Sequence, residues 1–100
     1  MAEEYTLVDN KEKKRYEFDV DGQLAIIEYI LQGNEVIIFT HTEVPVKLGG
    51  RGIGTRLVAK VLEDAERRQL KVVPLCPFVA AYMLKHPEWK RVLMAGFHLR

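Results

Sequence analysis

A glycine-rich segment between two runs of different periodicity constrains the fold of this chain more than any other feature. The segment is residues 49–55, which read GGRGIGT. Residues 36–44 before it are strand-like, and residues 53–69 form an amphipathic helical pattern. Glycines let a turn reach positive φ, and the first N–H groups of a helix have no partner within the helix. A strand, glycine turn and helix in this order predict an anion site at the helix N-terminus.

The first half of the chain predicts antiparallel strands joined by short turns. Apolar or alternating segments cover residues 5–8, 15–20, 23–31 and 35–44. Turn-forming pairs follow the first three segments: Asp9-Asn10, Asp21-Gly22 and Gly33-Asn34. The unbroken apolar run at residues 36–39 indicates burial on both faces, so the fourth strand is predicted to be central.

The second half predicts helix, strand and helix. Pro45 ends strand pairing because proline has no N–H. The helix at 53–69 buries one apolar stripe, and residues 71–76 then form a short strand parallel to the strand at 36–44. A second helix is predicted at residues 78–85, and residues 89–100 are left unassigned. The fold class is therefore α/β, with an antiparallel meander followed by glycine turn, helix, parallel strand and helix.

Composition narrows the class of protein. One hundred residues predict a single domain, 1–100. A net charge of +1 gives no indication of a nucleic-acid or membrane-surface protein, and one cysteine excludes an intramolecular disulfide framework and a multi-thiolate zinc site. No apolar signal core or membrane-length run is visible. We expect a cytoplasmic protein without a structural metal and favour a monomer, although the sequence does not determine the oligomeric state.

Two common phosphate-binding motifs do not fit the glycine segment. The nucleotide-hydrolase loop requires a lysine followed by serine or threonine after its last glycine, whereas Thr55-Arg56 follows Gly54. The dinucleotide fingerprint G-x-G-x-x-G requires a βαβ unit, whereas this chain has G-x-G-x-G after predicted hairpins. Both motifs are excluded by spacing.

The order of elements and the Arg-Gly-x-Gly turn resemble the GCN5-related N-acetyltransferase superfamily, whose turn holds the pyrophosphate of acetyl-coenzyme A. The superfamily motif is Q/R-x-x-G-x-G/A. Gly52 and Gly54 match its glycines, while Gly49 stands where Gln or Arg is usual and Arg51 offers a nearby cation. The resemblance implies a minimal acetyltransferase fold with acetyl-CoA as cosubstrate.

A narrower resemblance covers roughly residues 10–93. The runs HTEVP at 41–45, GRGIG at 50–54, VPLCP at 73–77 and HPEW at 86–89 look like those of very small, single-domain acetyltransferase-like proteins. Such chains lack the helices between the first two strands, which usually form part of the wall of the acceptor site. The resemblance implies that the central strand splays from the parallel strand and that the cofactor lies in the gap. The expected cofactor-binding residues are Val44, Val46, Gly50, Arg51, Gly52, Ile53, Gly54 and Thr55.

Three side chains are candidates for acid–base or nucleophilic chemistry. A neutral His41 imidazole could accept the amine proton, or it could be a satisfied or exposed strand residue. Cys76 could be a nucleophile, a proton donor to the leaving thiolate, or a small buried apolar residue. Tyr82 could donate a proton to the cofactor sulfur, as the resemblance implies, or face the core.

Two functions from different classes follow. The first is acetyl-CoA-dependent N-acetyltransfer to an unidentified amine. The second is a non-catalytic CoA- or acyl-CoA-binding module, which the small size and missing walls favour. Glu28, Glu35 and Glu43 could contribute to an acceptor site or be solvated strand positions.

Overall fold

The computed structural model describes residues 5–99, which form one mixed sheet with two α-helices and two 3-10 helices. The strands are β1 (Leu7–Asn10), β2 (Arg15–Val20), β3 (Gln23–Gln32), β4 (Val36–Glu43) and β5 (Lys71–Pro74). The helices are α1 (Ile53–Arg67) and α2 (Pro77–Lys85), with 3-10 helices at Val46–Leu48 and Pro87–Val92. Within these residues no helix is long and apolar enough to cross a bilayer.

The sheet has the order β1-β2-β3-β4-β5. The first four strands form an antiparallel meander, and β5 pairs parallel to β4. This confirms the predicted fold class, including the internal position of the fourth strand. The prediction that Asp9-Asn10 closes the first strand is wrong, because both residues pair with β2 and the chain turns at residues 11–14. Asn10 donates to Glu17 at 3.1 Å, so a side-chain partner on β2 satisfies this turn-forming residue within the strand.

Helix α1 covers one face of the sheet. Its buried stripe is Ile53, Gly54, Leu57, Val58, Val61, Leu62 and Ala65. The sheet side of this core includes Tyr16, Ile27 and Phe39, each with no measurable exposure. The hydroxyl of Tyr16 donates to Asp64 of α1 at 2.5 Å, which fixes the far end of the helix against β2.

The opposite side of the sheet is largely uncovered, and we call it the open face. Its side chains alternate along the strands with those of the core. Val8, Leu24 and Ile30 on this face are 47%, 41% and 51% exposed. Within residues 5–99, the protein therefore has two layers over β1–β3, with α1 on one side of the sheet.

A β-bulge in β4 changes which side chains face the core. Tyr29 pairs with Phe39 and Glu28 pairs with His41, so Thr40 is an extra residue in β4. Because side chains alternate along a strand, an inserted residue reverses the faces beyond it. Phe39 consequently faces the core, and His41 lies on the open face beside Glu28.

The C-terminal part of the chain closes the other edge of the sheet. Val79 and Met83 of α2 are fully buried in the same core as α1. No element was predicted for residues 89–100. This segment contributes to the second 3-10 helix, Pro87–Val92, and forms a parallel bridge between Leu93 and Val72. Trp89, 9% exposed, packs in the core under the guanidinium of Arg91, which lies 4.6 Å from the ring centroid.

Candidate functional site

The parallel pairing between β4 and β5 stops before the end of β4, and we call the region between the two segments beyond the last pair the gap. The last paired residues are Phe39 and Pro74, and the N–H of Cys76 donates to the Phe39 carbonyl at 2.9 Å. β4 continues four residues further, to Glu43, while the other chain turns into α2 at Pro77. Proline at 74 and 77 supplies no N–H to extend the ladder. The C-terminal half of β4 thus presents a strand edge that is not paired with β5.

The glycine turn leads directly from this gap into α1. Gly50 and Gly52 have φ of +79° and +69°, a conformation that side chains other than glycine rarely adopt. Gly52 is the N-cap, so no side chain caps the first turn, and the first helical bond runs from the Arg56 N–H to the Gly52 carbonyl at 3.1 Å. The first turn of α1 also holds no acidic residue. An uncapped, positively polarised helix start therefore lies beside an exposed glycine turn.

Gly54 allows α1 to begin close to two neighbours. A Cβ at this position would lie 2.8 Å from Cζ of Phe78 and 3.3 Å from Cγ2 of Val44. The first turn of α1, the end of β4 and the start of α2 thus meet at one point. A phosphate group at the turn would fit beside Gly50 and Gly52, since a Cβ at either position would meet no atom within 4 Å.

The segment linking β4 to the turn is a short 3-10 helix. The N–H groups of Leu48 and Gly49 donate to the carbonyls of Pro45 and Val46 at 2.9 and 3.0 Å. Those two carbonyls are already occupied, so the amide groups near Val44 and Val46 are the better candidates for holding an extended ligand. Leu48 anchors the segment in the core at 3% exposure, whereas Val46 is 95% exposed beside the gap.

The side chains of Arg51 and Arg56, the two arginines near the turn, extend toward residues of the N-terminal part of the chain. Arg51 donates to Asp21 at 3.3 Å and to the Tyr5 hydroxyl at 3.4 Å. The guanidinium of Arg56 lies 5.7 Å from the centroid of the Tyr5 ring. Arg51 is part of the exposed turn, but its charge is shared with Asp21 in this conformation.

Cys76 faces the gap from the core side and meets Thr42. The thiol sulfur and the Thr42 hydroxyl oxygen are 3.1 Å apart, and either group can be the donor. Cys76 is only 3% exposed. Thr42 pairs with buried Ile27, which places the pair on the same side of the sheet as α1.

His41 points to the other side of the sheet. Its Nε2 lies 3.5 Å from the Glu43 carboxylate, and the two side chains are 53% and 67% exposed. The structure therefore brings Cys76 together with Thr42 and His41 together with Glu43. The two pairs flank the same stretch of β4 from opposite faces.

Tyr82 lies on α2 beside the helix start rather than beside Cys76. Its ring stacks on His86 with centroids 4.4 Å apart. It lines a groove between the first turn of α1 and α2, together with Thr55, Phe78, Ala81, Lys85 and His86. This groove continues from the glycine turn along α2.

Three residues of the site were not identified from the sequence. Thr42 shares the core face with Cys76 only because of the bulge, which no turn residue signals. Phe78 is two residues after Cys76, and its contact with Gly54 could have been suggested by an aromatic residue at a helix start. Lys85 ends α2, where a basic residue is also expected from the helix dipole.

Comparisons with known proteins agree with this architecture. A family model described as GCN5-related N-acetyl-transferase matches residues 15–92. Protein NATD1 of Gallus gallus is 29% identical over 82 residues, which cover 76% of this chain and 73% of that protein. Protein NATD1 of Homo sapiens is 28% identical over 82 residues, covering 76% and 71%.

A solved structure is similar over nearly the whole length. The NMR solution structure of a Staphylococcus aureus protein described as GCN5-like has a TM-score of 0.68 and 27% sequence identity, and the match covers 97% of this chain and 95% of that one. Because the family match also spans most of the chain, this protein belongs to the GCN5-related N-acetyltransferase family.

Proposed function

We propose that this protein transfers the acetyl group of acetyl-CoA to an amine. Family membership supports the reaction class. The observation that carries the proposal is the uncapped N-terminus of α1, which follows a positive-φ glycine turn and borders the gap between β4 and β5. A pyrophosphate suits the helix start, and an extended pantetheine arm suits an unpaired strand edge.

The binding residues act mainly through the backbone. The amides of residues 50–55, including Ile53 and Thr55 at the start of α1, would hold phosphate oxygens, and Arg51 adds a cation once it leaves Asp21. Amide groups near Val44 and Val46 would align the pantetheine arm along β4. Tyr82, Phe78 and Lys85 would border the adenosine side in the groove along α2.

The chemistry requires a neutral amine, because the attacking nitrogen must offer a lone pair. Alkylamines have a pKa of about 10 in water, so a base helps at neutral pH. We assign this role to His41, which stands beside the gap and is oriented by Glu43. The amine nitrogen bonds to the carbonyl carbon, the carbon–sulfur bond breaks, and His41 takes the proton that the nitrogen loses.

The leaving thiolate needs a proton on the core side of the gap. The Thr42–Cys76 pair stands there with an O–H and an S–H available. We assign the pair to protonation of the thiolate. A covalent acetyl-cysteine is not part of this mechanism, in which the amine attacks bound acetyl-CoA directly.

The binding site is tested by Gly52→Glu, with Gly33→Glu as the matched control. Both glycines have positive φ, +69° and +57°, and open space around the missing Cβ, so the strain of substitution is similar. Only Gly52 lies at the helix start, where a carboxylate would occupy the phosphate position. We expect acetyl-CoA binding to fall at least about a hundredfold by calorimetry in Gly52→Glu and to stay within about twofold in Gly33→Glu.

Equal affinities in the two variants would place the ligand elsewhere. Release of free CoA in the presence of amines then separates the two functional classes. Binding at the turn without release of CoA to any amine would identify the alternative, a non-catalytic CoA-binding module.

A further inference from the structure

We propose that Asp21 and Tyr5 hold Arg51 in a contact that competes with the cofactor, so that acetyl-CoA must open this contact in order to bind. We call the four side chains involved the arginine clasp: Tyr5, Asp21, Arg51 and Arg56. The inference rests on the proposed function, because it takes the glycine turn as the phosphate site. It adds a means by which occupancy of that site is regulated.

The clasp engages both terminal nitrogens of the Arg51 guanidinium. Nη1 lies 3.3 Å from Oδ2 of Asp21, and Nη2 donates to the Tyr5 hydroxyl at 3.4 Å. Arginine binds a phosphate most strongly when two of its nitrogens donate in parallel. Both terminal nitrogens already have partners in the N-terminal part of the chain. A contact of both nitrogens with a phosphate beside Gly52 therefore requires the clasp to open.

The hairpin between β2 and β3 fixes the position of Asp21. Asp21 and Gly22 have φ of +54° and +82°, the two positive values of a tight hairpin turn. The Gly22 N–H donates to the Asp19 carboxylate at 2.9 Å and closes the turn. The Asp21 side chain thus starts from a defined backbone position. Its pair with Arg51 links this hairpin to the glycine turn, 30 residues later in the chain.

Tyr5 extends the clasp to Arg56 and to the core. The guanidinium of Arg56 lies 5.7 Å from the centroid of the Tyr5 ring, where the ring face attracts a cation. The same ring packs on Phe18 of β2, with centroids 5.6 Å apart, and Phe18 is 1% exposed. Tyr5 therefore contacts both arginines and a buried residue of the sheet. The position of the segment before β1 is coupled in this way to the charges at the phosphate turn.

The clasp is weak enough for a cofactor to open. The side chains of Asp21 and Arg51 are 78% and 35% exposed, and an ion pair in water contributes little to stability. A pyrophosphate has more charge than one carboxylate, and it also accepts from the N–H groups at the start of α1. Linkage is reciprocal, so a contact that the cofactor must break weakens cofactor binding by the same factor.

Asp21→Asn tests the competition directly. Asparagine followed by glycine is a favoured hairpin pair, so the turn is retained while the negative charge is lost. We expect the Kd of acetyl-CoA, measured by calorimetry, to fall about threefold, which is the scale of an exposed ion pair. Tyr5→Phe keeps the ring on Arg56 and Phe18 but removes the hydroxyl that Arg51 contacts. It should lower the Kd in the same direction, by about twofold.

The matched control repeats Asp21→Asn in an Arg51→Gln background. Without the guanidinium there is no ion pair with Asp21 to break, so the substitution should leave the Kd within about 1.5-fold of the value for Arg51→Gln alone. A general effect of removing one negative charge near the turn would persist in this background. The cycle therefore separates the clasp from long-range electrostatics.

The outcomes distinguish the clasp from the proposed function. An unchanged Kd in Asp21→Asn, while Gly52→Glu still weakens binding, would overturn the clasp and leave the phosphate site standing. The same fall in Kd with and without Arg51 would also overturn it, because Asp21 would then act by its charge alone. If Gly52→Glu binds acetyl-CoA as tightly as the parent, the phosphate site itself is rejected, and the clasp as its competitor is rejected with it.

Discussion

At the scale of single residues, the side of β4 on which a group lies determines the role it can have. Thr42 and Cys76 meet on the core side at 3.1 Å, while His41 and Glu43 meet on the open face. In the proposed mechanism, His41 would take the proton of the amine on the open face. The Thr42–Cys76 pair would give a proton to the leaving sulfur from the core side.

Cys76→Ala should slow acetyl transfer roughly tenfold to a hundredfold and leave acetyl-CoA affinity nearly unchanged. The reason is that, in the proposed mechanism, the thiol would serve the leaving sulfur and would not contact the phosphates. Thr42→Val, which keeps the shape but removes the hydroxyl, should reduce the rate in the same direction. Steady-state kinetics and calorimetry measure the two effects, and Cys76→Ser should retain more activity than the alanine variant.

One specific experimental result would contradict the direct-transfer mechanism. Rapid quenching during turnover, followed by mass spectrometry, would detect an acetyl group on the peptide that contains Cys76. If that adduct forms and decays as fast as turnover, Cys76 is a covalent carrier.

His41→Ala should lower kcat/KM about a hundredfold at pH 7 and much less at pH 9. The neutral fraction of an amine with a pKa of about 10 rises roughly a hundredfold across that interval, so a base matters less at the higher pH. Glu35→Ala is the control, since Glu35 is an exposed residue in the turn between β3 and β4. A constant loss at both pH values would assign His41 a structural role.

The side on which His41 lies could not have been predicted from the sequence. Strict alternation from Phe39 would place His41 on the core face with Cys76 opposite it. The extra residue at Thr40 reverses that alternation, and the Thr40 hydroxyl donates to the Glu28 carbonyl at 3.3 Å within the bulge. Neither glycine nor proline marks this position, so only the tertiary pairing of β3 with β4 reveals it.

At the scale of elements, turns and periodicity were sufficient for most of the fold. β2 has the predicted bounds because its alternation is clean and Asp21-Gly22 ends it. The glycine turn and the start of α1 at Ile53 lie at the positions that the spacing of the glycines predicts. The predicted end of β1 before Asp9 is wrong. The Asp9 carboxylate accepts a hydrogen bond from the Tyr29 hydroxyl at 2.5 Å, which is a contact between distant parts of the sequence.

The junction between α1, β4 and α2 gives a prediction about Gly54. Alanine in place of a helical glycine ordinarily stabilises by about 1 kcal/mol. Here its Cβ would meet Phe78 at 2.8 Å, so the ring must swing aside. We expect Gly54→Ala to be at least about 1 kcal/mol more favourable in a Phe78→Ala background than in the parent protein.

Chemical denaturation of the four proteins in this double-mutant cycle measures the coupling. Phe78 is 44% exposed, so its removal alone should cost little. Identical effects of Gly54→Ala in the two backgrounds would show that α1 and α2 do not approach each other as closely as described.

At the scale of the whole molecule, a polar cluster holds the far end of α1 to the sheet, away from the gap. Arg68 at the end of α1 donates to the Tyr16 hydroxyl at 3.1 Å and lies 3.3 Å from Asp64 and 3.4 Å from Asp9. Asp9 in turn accepts from Tyr29. The cluster joins β1, β2, β3 and α1, so the helix is fixed at one end while its N-terminus remains available to a ligand.

Because of this cluster, we expect the free energy of unfolding to change with pH in the alkaline range. Burial raises the pKa of Tyr16 to about 12, and burial with the hydrogen bond to Asp9 raises the pKa of Tyr29 above its ordinary value. A raised pKa means that the folded state keeps a proton that the unfolded state loses. The stabilising contribution is complete below pH 10 and is lost as pH rises through about 12.

Tyr16→Phe tests this dependence, because phenylalanine keeps the ring and has no proton to lose. At pH 8 the variant should be less stable than the parent by about 1–2 kcal/mol, the usual cost of removing one partner of a buried hydrogen bond. As pH rises toward 11, the parent alone loses the contribution of Tyr16, so the difference between the two free energies of unfolding should shrink. Lysine deprotonation affects both proteins equally and cancels in the difference. Urea denaturation at pH 8, 9, 10 and 11 measures it, and two curves that stay parallel across this range would show that Tyr16 does not hold its proton more tightly in the folded protein.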